Sequence, residues 1–211
     1  MAYRIIQHGP SRSFPEGDPF LSGGSGDGEI VIHLGAAPDG VEDDATAVLV
    51  ELDLECLGVH TGEGTGAEGS NVLGFARYRN GGDPPSDLIE LVVQPNSGEG
   101  AVAAAKEMFE EAGFEVALCA DQAGRIVDRL VRPVYNQALR LLDEGLATAA
   151  DMDTTCRLGL GYPDGPIERV VRGGLARHYD VTAALFEVYG APAYAPARRA
   201  VVARQRRERE S

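Results

Sequence analysis

The chain has 211 residues, 44% of them apolar, which is enough to bury a core in one or two small domains without disulfide or metal staples. Its 33 carboxylates outnumber 19 Lys and Arg, for a net charge of -14 and a pI near 4.6. That balance repels polyanions, so neither a nucleic acid nor an anionic membrane is expected as partner.

In chain order, short β-branched runs separated by Gly, Pro, Asp and Ser predict strands at 4–7, 29–34, 47–52, 55–60, 72–78 and 88–93. Two Gly-rich stretches between them, 22–28 and 61–69, show no apolar periodicity and read as loops. Residues 98–112 then read as a helix, with Val102, Ala105, Met108, Phe109 and Ala112 on one face and Gly113 as the stop. A strand over 114–119 follows, so strand, helix and strand form the βαβ pattern of a parallel sheet.

From Gly124 the periodicity is helical throughout. Ile126, Val127, Leu130, Val131, Val134, Ala138, Leu141 and Leu142 form an apolar stripe ending at Gly145, with Pro133 expected to kink it. Thr148 and Asp151 resemble a shortened capping box, and Pro166 suits the first turn of a helix reaching Gly173. Further helices are predicted over 181–189 and 197–207, before an Arg- and Glu-rich tail.

Cys56, Cys119 and Cys156 form no C-x-x-C pair, and His8, His33, His60 and His178 show no H-x-x-x-H spacing. Neither a disulfide framework nor a metal site is therefore expected. The N-terminus lacks an apolar signal core and no run reaches membrane-spanning length, which predicts a soluble cytoplasmic protein.

Residues 124–170 resemble the 3-hydroxyacyl-CoA dehydrogenase family. The resemblance is carried by Gly124, Asp128, Arg129, Pro133, Asn136, Ala138, Glu144, Gly145, Asp153 and the run Gly159-Leu160-Gly161-Tyr162-Pro163-Asp164-Gly165-Pro166. Upstream, residues 71–95 are similar to that family's G-x-H-F-F-N-P and L-V-E-V segments, so the likeness covers about 71–204; residues 1–70 match poorly. It implies a fold of class α/β plus all-α: a truncated Rossmann-like parallel sheet domain over 1–120, then a helical 6-phosphogluconate-dehydrogenase-C-terminal-like domain over 121–211. For intact members it also implies an NAD-binding Rossmann domain and a helical domain that closes an acyl-CoA cleft and dimerises. A His takes the hydroxyl proton, a Glu orients it, and a Ser and an Asn hold the substrate oxygen.

Position by position, little of that machinery is present. The His falls on Ala76, the nearby Asn on Arg79, the Ser in the region of Gly62, and the linker Asn on Asp128; only the acid survives, as Glu90. Alanine cannot accept a proton, so Glu90 reads as structural. The first strand ends His8-Gly9-Pro10-Ser11-Arg12-Ser13, without the glycines a pyrophosphate needs. A literal G-x-G-x-x-G at Gly64, Gly66 and Gly69 precedes a strand rather than a helix, which favours a loop over a phosphate cradle.

His8 and His60, near strand ends, are alternative bases or simply half-exposed imidazoles. His33 reads as a hydrogen-bonded core residue and His178 as a helix-end residue favoured by the macrodipole. Arg77 and Arg79 could grip a CoA phosphate or line a solvated strand edge, and Cys156 reads as a small buried side chain.

The reading carried forward is a catalytically degenerate relative that binds an acyl-CoA or related CoA thioester, or serves as a partner subunit. It is expected to bind no cofactor and no metal, and to be a homodimer through the helical domain. Candidate site residues are Glu90 and His60 as catalytic groups, with Arg77, Arg79 and Asp128 as substrate contacts. Two alternatives stand beside it: an NAD-dependent dehydrogenase with a rebuilt site, and a different enzyme using His60 or His8 as base.

Overall fold

The computed structural model describes residues 1–35 and 44–210. The chain divides into two compact units, one of residues 1–79 and 85–125, the other of residues 80–84 and 126–211.

The first unit is a six-stranded sheet of β1 (Tyr3–Gln7), β2 (Ile30–Leu34), β3 (Ala47–Glu51), β4 (Val72–Arg77), β5 (Leu88–Val93) and β6 (Glu115–Ala120), and its strand order equals the chain order. β1 to β4 pair in parallel, β4 and β5 are antiparallel, and β5 and β6 are parallel again. β2 and β3 are buried along their whole length, which is why they read as near-continuous apolar runs. A doubly wound sheet has its first strand in the middle, flanked by strands 2 and 4. Here, among the described residues, β1 lies at an edge and pairs on one side only, with β2.

The connection from β1 to β2 is equally reduced. Between β1 and β2 the only regular element is a 3-10 turn, Pro19–Ser22, capped by Asp18 accepting from the Phe20 amide. In place of a crossover helix, this segment lays Phe14 and Phe20 on the sheet. Their rings stand 4.2 Å apart, and Phe20 lies 4.6 Å from Tyr3 and 5.8 Å from Phe109. Rings at such offsets add attraction beyond the apolar area they bury.

Residues 55–60, expected as a strand, instead include a helical turn, α1 (Gly58–Thr61). The cause is distant in sequence. Both oxygens of Asp121 accept from the amides of Leu57 and Gly58, at 2.7 Å each, and satisfy donors that a strand would have turned outward. α2 (Glu99–Glu111) follows β5 as expected, and buries Ala101, Ala104, Ala105, Met108 and Phe109. Ala105, Met108 and Phe109 lie on the expected face, with Val102 partly buried beside them, and Ala101 and Ala104 widen that face toward the sheet.

The second unit contains α3 (Val127–Asp143), α4 (Ala149–Leu160), α5 (Pro166–Arg172), α6 (Leu175–Tyr189) and α7 (Arg198–Glu210). Pro133 lies inside α3. Gly145 ends it at φ 73°, with the Leu146 amide donating back to the Leu141 carbonyl in a Schellman arrangement. Thr148 caps α4, its hydroxyl accepting from the Asp151 amide.

The family motif around Asp153 and Gly165-Pro166 has a direct physical basis. Asp153 is buried on α4 and accepts from the Ile167 amide at 2.8 Å and the Glu168 amide at 3.0 Å, so it caps α5 from a neighbouring helix. A Cβ on Gly165 would stand 2.2 Å from the Asp153 side chain, so only glycine admits the cap. α6 starts at Leu175, earlier than expected. This places His178 near the N-terminal end of α6, where the macrodipole disfavours a cation, rather than at a C-terminal end where it would favour one. The core of this unit is built on Tyr135, Leu139, Met152, Ile167, Val170 and Ala197.

Candidate functional site

Open α/β sheets offer ligands the carboxyl ends of their parallel strands. There, a cavity of about 280 Å³ is lined by Pro10, Arg12, Gly35, Glu51, Leu52, Asp53 and Glu55. Glu51, the last residue of β3, is 7% exposed and fully engaged. One carboxylate oxygen accepts from the Ser11 hydroxyl at 2.9 Å and the Ser13 amide at 2.7 Å; the other accepts from the Gly35 amide at 2.8 Å. Arg12 faces Asp53 at 3.6 Å and donates to the Arg79 carbonyl. At the adjoining ends of β1 and β2, exposed His8 and buried His33 stack with ring nitrogens 2.8 Å apart, one donating to the other. His33 is therefore the hydrogen-bonded core residue its sequence context suggested.

Glu90 on β5 is directly opposite Ala76 in the antiparallel register, so the acid meets a methyl group where the family resemblance puts an imidazole. Its charge is answered by Arg125, whose Nε lies 3.8 Å away, both side chains being 6% exposed. The same guanidinium donates to the Asp53 carbonyl at 2.6 Å and reaches the Glu55 carbonyl at 3.5 Å. Arg125 adopts φ 48°, the only positive φ outside glycine among the described residues, so the backbone bends to deliver this side chain. Beside the pair, burial and then the Glu90 charge push the Cys119 thiol up to about 11, which keeps it protonated and unreactive.

His60 belongs to α1. It is buried, neither ring nitrogen has a hydrogen bond, and its nearest polar neighbour is the Glu55 carboxylate at 3.7 Å. In the Gly64–Gly69 segment the amides of Gly64 and Thr65 donate to Glu68, which holds that carboxyl down at about 2. The loop expectation is met, with an internal carboxylate where a phosphate cradle would need a ligand.

Arg77 does not line a strand edge, because β4 runs between β3 and β5. Its guanidinium is buried, pairs with Asp18 at 2.7 Å, donates to the Ser13 and Ser86 carbonyls, and stacks over Phe14 and Phe114. Those donors are spent on the fold. Arg79 lies beyond the strand, its carbonyl holding Arg12.

In the helical unit, Asp128 holds Arg132 at 2.7 Å rather than standing alone. Arg132 lies 3.4 Å from Nδ1 of His178, and Nε2 of His178 donates to Asn136 Oδ1 at 2.9 Å. Asn136 is fully buried, also accepting from the Ala197 amide and donating to the Ala193 carbonyl. Burial, then the Arg132 charge, lower the pKa of His178 to about 3, so its imidazole is neutral. Cys156, half-buried on α4, makes no disulfide. On the surface of this unit a groove of about 270 Å³ is lined by Leu130, Val134, Tyr162, Pro163 and Arg169, among others.

The charge is unevenly divided: residues 1–125 carry 22 carboxylates against 6 Lys and Arg, residues 126–211 carry 11 against 13. Among the described residues, no group of three or more His, Cys, Asp or Glu could hold a metal ion, and no helix is long and apolar enough to cross a membrane.

Glu51 and Arg125 escaped the sequence reading. Each acts through partners tens of residues away, and the only local signal was a charged residue ending an apolar run in one case and following Gly124 in the other.

Comparison with known proteins follows the same division. Residues 124–211 match the 3-hydroxyacyl-CoA dehydrogenase C-terminal domain family. The mitochondrial hydroxyacyl-coenzyme A dehydrogenase of Sus scrofa is 35% identical over 92 residues, which is 44% of this chain and 29% of that protein. A 3-hydroxybutyryl-CoA dehydrogenase of Mycobacterium tuberculosis is 32% identical over 114 residues, 54% of this chain and 40% of that one. The matches thus span well under half of these relatives. The fold extends further: the (S)-3-hydroxybutyryl-CoA dehydrogenase structure from Ralstonia eutropha superposes with a TM-score of 0.69 over 87% of this chain and 66% of that one, at 20% identity. The helical segment from Gly124 onward thus matches the C-terminal domain of 3-hydroxyacyl-CoA dehydrogenases, and the six-stranded Rossmann-like sheet before it shares the fold of their solved structures.

Proposed function

We propose that this protein is a member of the family that has given up hydride transfer and serves fatty-acid or related CoA-thioester metabolism as an acyl-CoA-binding or partner subunit. The observation that carries the reading is the fate of Glu90. A carboxylate that orients a histidine needs the histidine within hydrogen-bond reach. Here its register partner is Ala76 and its ion-pair partner is Arg125, whose guanidinium offers hydrogen-bond donors and no acceptor. The acidic α/β unit further disfavours a dinucleotide, whose pyrophosphate would enter a negative field.

Two titrations test this. Cofactor fluorescence should show no NADH binding at micromolar concentrations, and acetoacetyl-CoA reduction should not exceed background, whereas isothermal titration with acetoacetyl-CoA should give a measurable affinity. NADH binding at micromolar affinity, or turnover that Glu90→Gln abolishes, would sink the reading in favour of a rebuilt dehydrogenase. Turnover lost in His60→Ala would instead point to His60 as a base.

The helical unit is also proposed to pair with a second copy. Leu130, Leu158 and Leu160 are 67%, 84% and 64% exposed, and apolar exposure on this scale calls for cover. Sedimentation equilibrium should give a dimer at micromolar concentration; a monomer there contradicts the assembly.

A further inference from the structure

The end of β1 is where a doubly wound sheet brings backbone amides to a ligand's pyrophosphate. In this chain three donors converge at that place, from two separate connections: the Ser11 hydroxyl and Ser13 amide after β1, and the Gly35 amide after β2. All three reach the carboxylate of Glu51, and that carboxylate is 93% buried, in a side chain arriving from β3. The Ser11 hydroxyl in turn accepts from the Phe14 amide at 2.8 Å, so the loop is wound around the anion. Gly35 adopts φ 75°, and a Cβ there would stand 2.8 Å from the Gly9 amide nitrogen. Glycine is therefore required for the two connections to close on each other.

Such an arrangement has the chemistry of an anion-binding nest, namely converging N–H and O–H donors with no cation required. A buried carboxylate with three donors is stable; the same donors facing an empty space would each forfeit a hydrogen bond. We infer that residues 11–13 and Gly35 form an anion cradle that the chain fills with its own Glu51, so that this edge of the sheet is closed to carboxylate- and phosphate-bearing ligands. Glu51 is a built-in occupant, and the cradle takes a small planar carboxylate once that side chain is removed. The inference rests on this hydrogen-bond geometry alone and stands whether or not the protein binds an acyl-CoA.

The test uses the full chain with Glu51→Ala and sodium formate as the probe. Thermal unfolding of Glu51→Ala should shift up by several degrees as formate rises through the millimolar range, relative to sodium chloride at equal ionic strength. The wild type, its cradle occupied, should respond equally to the two salts. A formate response no larger than the chloride response in the variant, or an equal formate-specific shift in the wild type, overturns the inference. Should Glu51→Ala fail to fold, amide exchange settles the matter on Glu51→Gln. An amide side chain has one acceptor oxygen, which the Ser11 and Ser13 donors retain, so the Gly35 amide loses its partner. Its exchange should accelerate about tenfold or more over the wild type, in which the Ser13 and Gly35 amides are slow despite lying outside any strand. Fast exchange at both amides in the wild type, or an unchanged rate at Gly35 in the variant, also overturns it.

Discussion

Lowering the pH from 7 to 4 should destabilise the wild-type helical unit much more than a His178→Gln variant. His178 is fully buried between Asn136 and Arg132, and its pKa falls to about 3 from an ordinary 6.5. The folded state therefore refuses a proton that the unfolded chain accepts below pH 6.5. Stability conferred by the neutral imidazole is whole above pH 6.5 and is lost progressively as the pH falls toward 3, at roughly 1 kcal/mol per pH unit. Glutamine preserves a donor for Asn136 Oδ1 and cannot titrate. The variant should be weaker at pH 7, because it loses packing against Tyr135, yet its unfolding midpoint should vary less with pH. Denaturant melts from pH 7 to 4 give the answer: parallel curves for the two proteins would show that His178 does not govern the acid response.

Asp153→Ala should cost the helical unit about 2–4 kcal/mol, since it strips two amides at the start of α5 of a buried, charged acceptor. Asp153→Asn, which keeps one acceptor and turns an amide group toward the other N–H, should lie between the two. Gly165→Ala should be as damaging as Asp153→Ala without deleting any hydrogen-bonding group, because its methyl would occupy the space of the Asp153 carboxylate. Urea melts of the three variants check the order. If Asp153→Ala changes the midpoint no more than an exposed-surface control such as Asp151→Ala, the cap does not carry the turn.

These two sites show why the helical unit was legible in the sequence. The segment from Asp153 to Pro166 is a local device, whose cap, close-approach glycine and first-turn proline lie within 14 residues. A pattern of that kind survives intact in a linear string. The stop at Gly145 and the cap at Thr148 are readable for the same reason. His178 was misplaced because the early start of α6, which follows Gly174 at φ 89°, left no apolar periodicity before Val181.

The α/β unit was legible as strands but not as a site. Residues 55–60 read as a short apolar run bounded by turn residues, and what bends them into a turn is a carboxylate at Asp121. Arg77 looked like a free cation on an exposed strand, and only the β3–β4–β5 order shows that it is enclosed with Asp18 and two rings. The alanine at the position that the resemblance assigns to a histidine, by contrast, is visible in the sequence as Ala76. The partner of Glu90 is not, because Arg125 approaches from 35 residues away.

The strand order of the sheet also bears on how the chain is made. In a doubly wound sheet the first strand must wait for a later partner while intervening strands pair on its other side. Here every strand bonds to the next one in sequence, from β1 through β6. Each strand after β1 therefore has a neighbour that was synthesised before it, so the sheet can lengthen in the order of synthesis. Short sequence separations of this kind speed folding and shorten the time that unpaired edges stay open to aggregation.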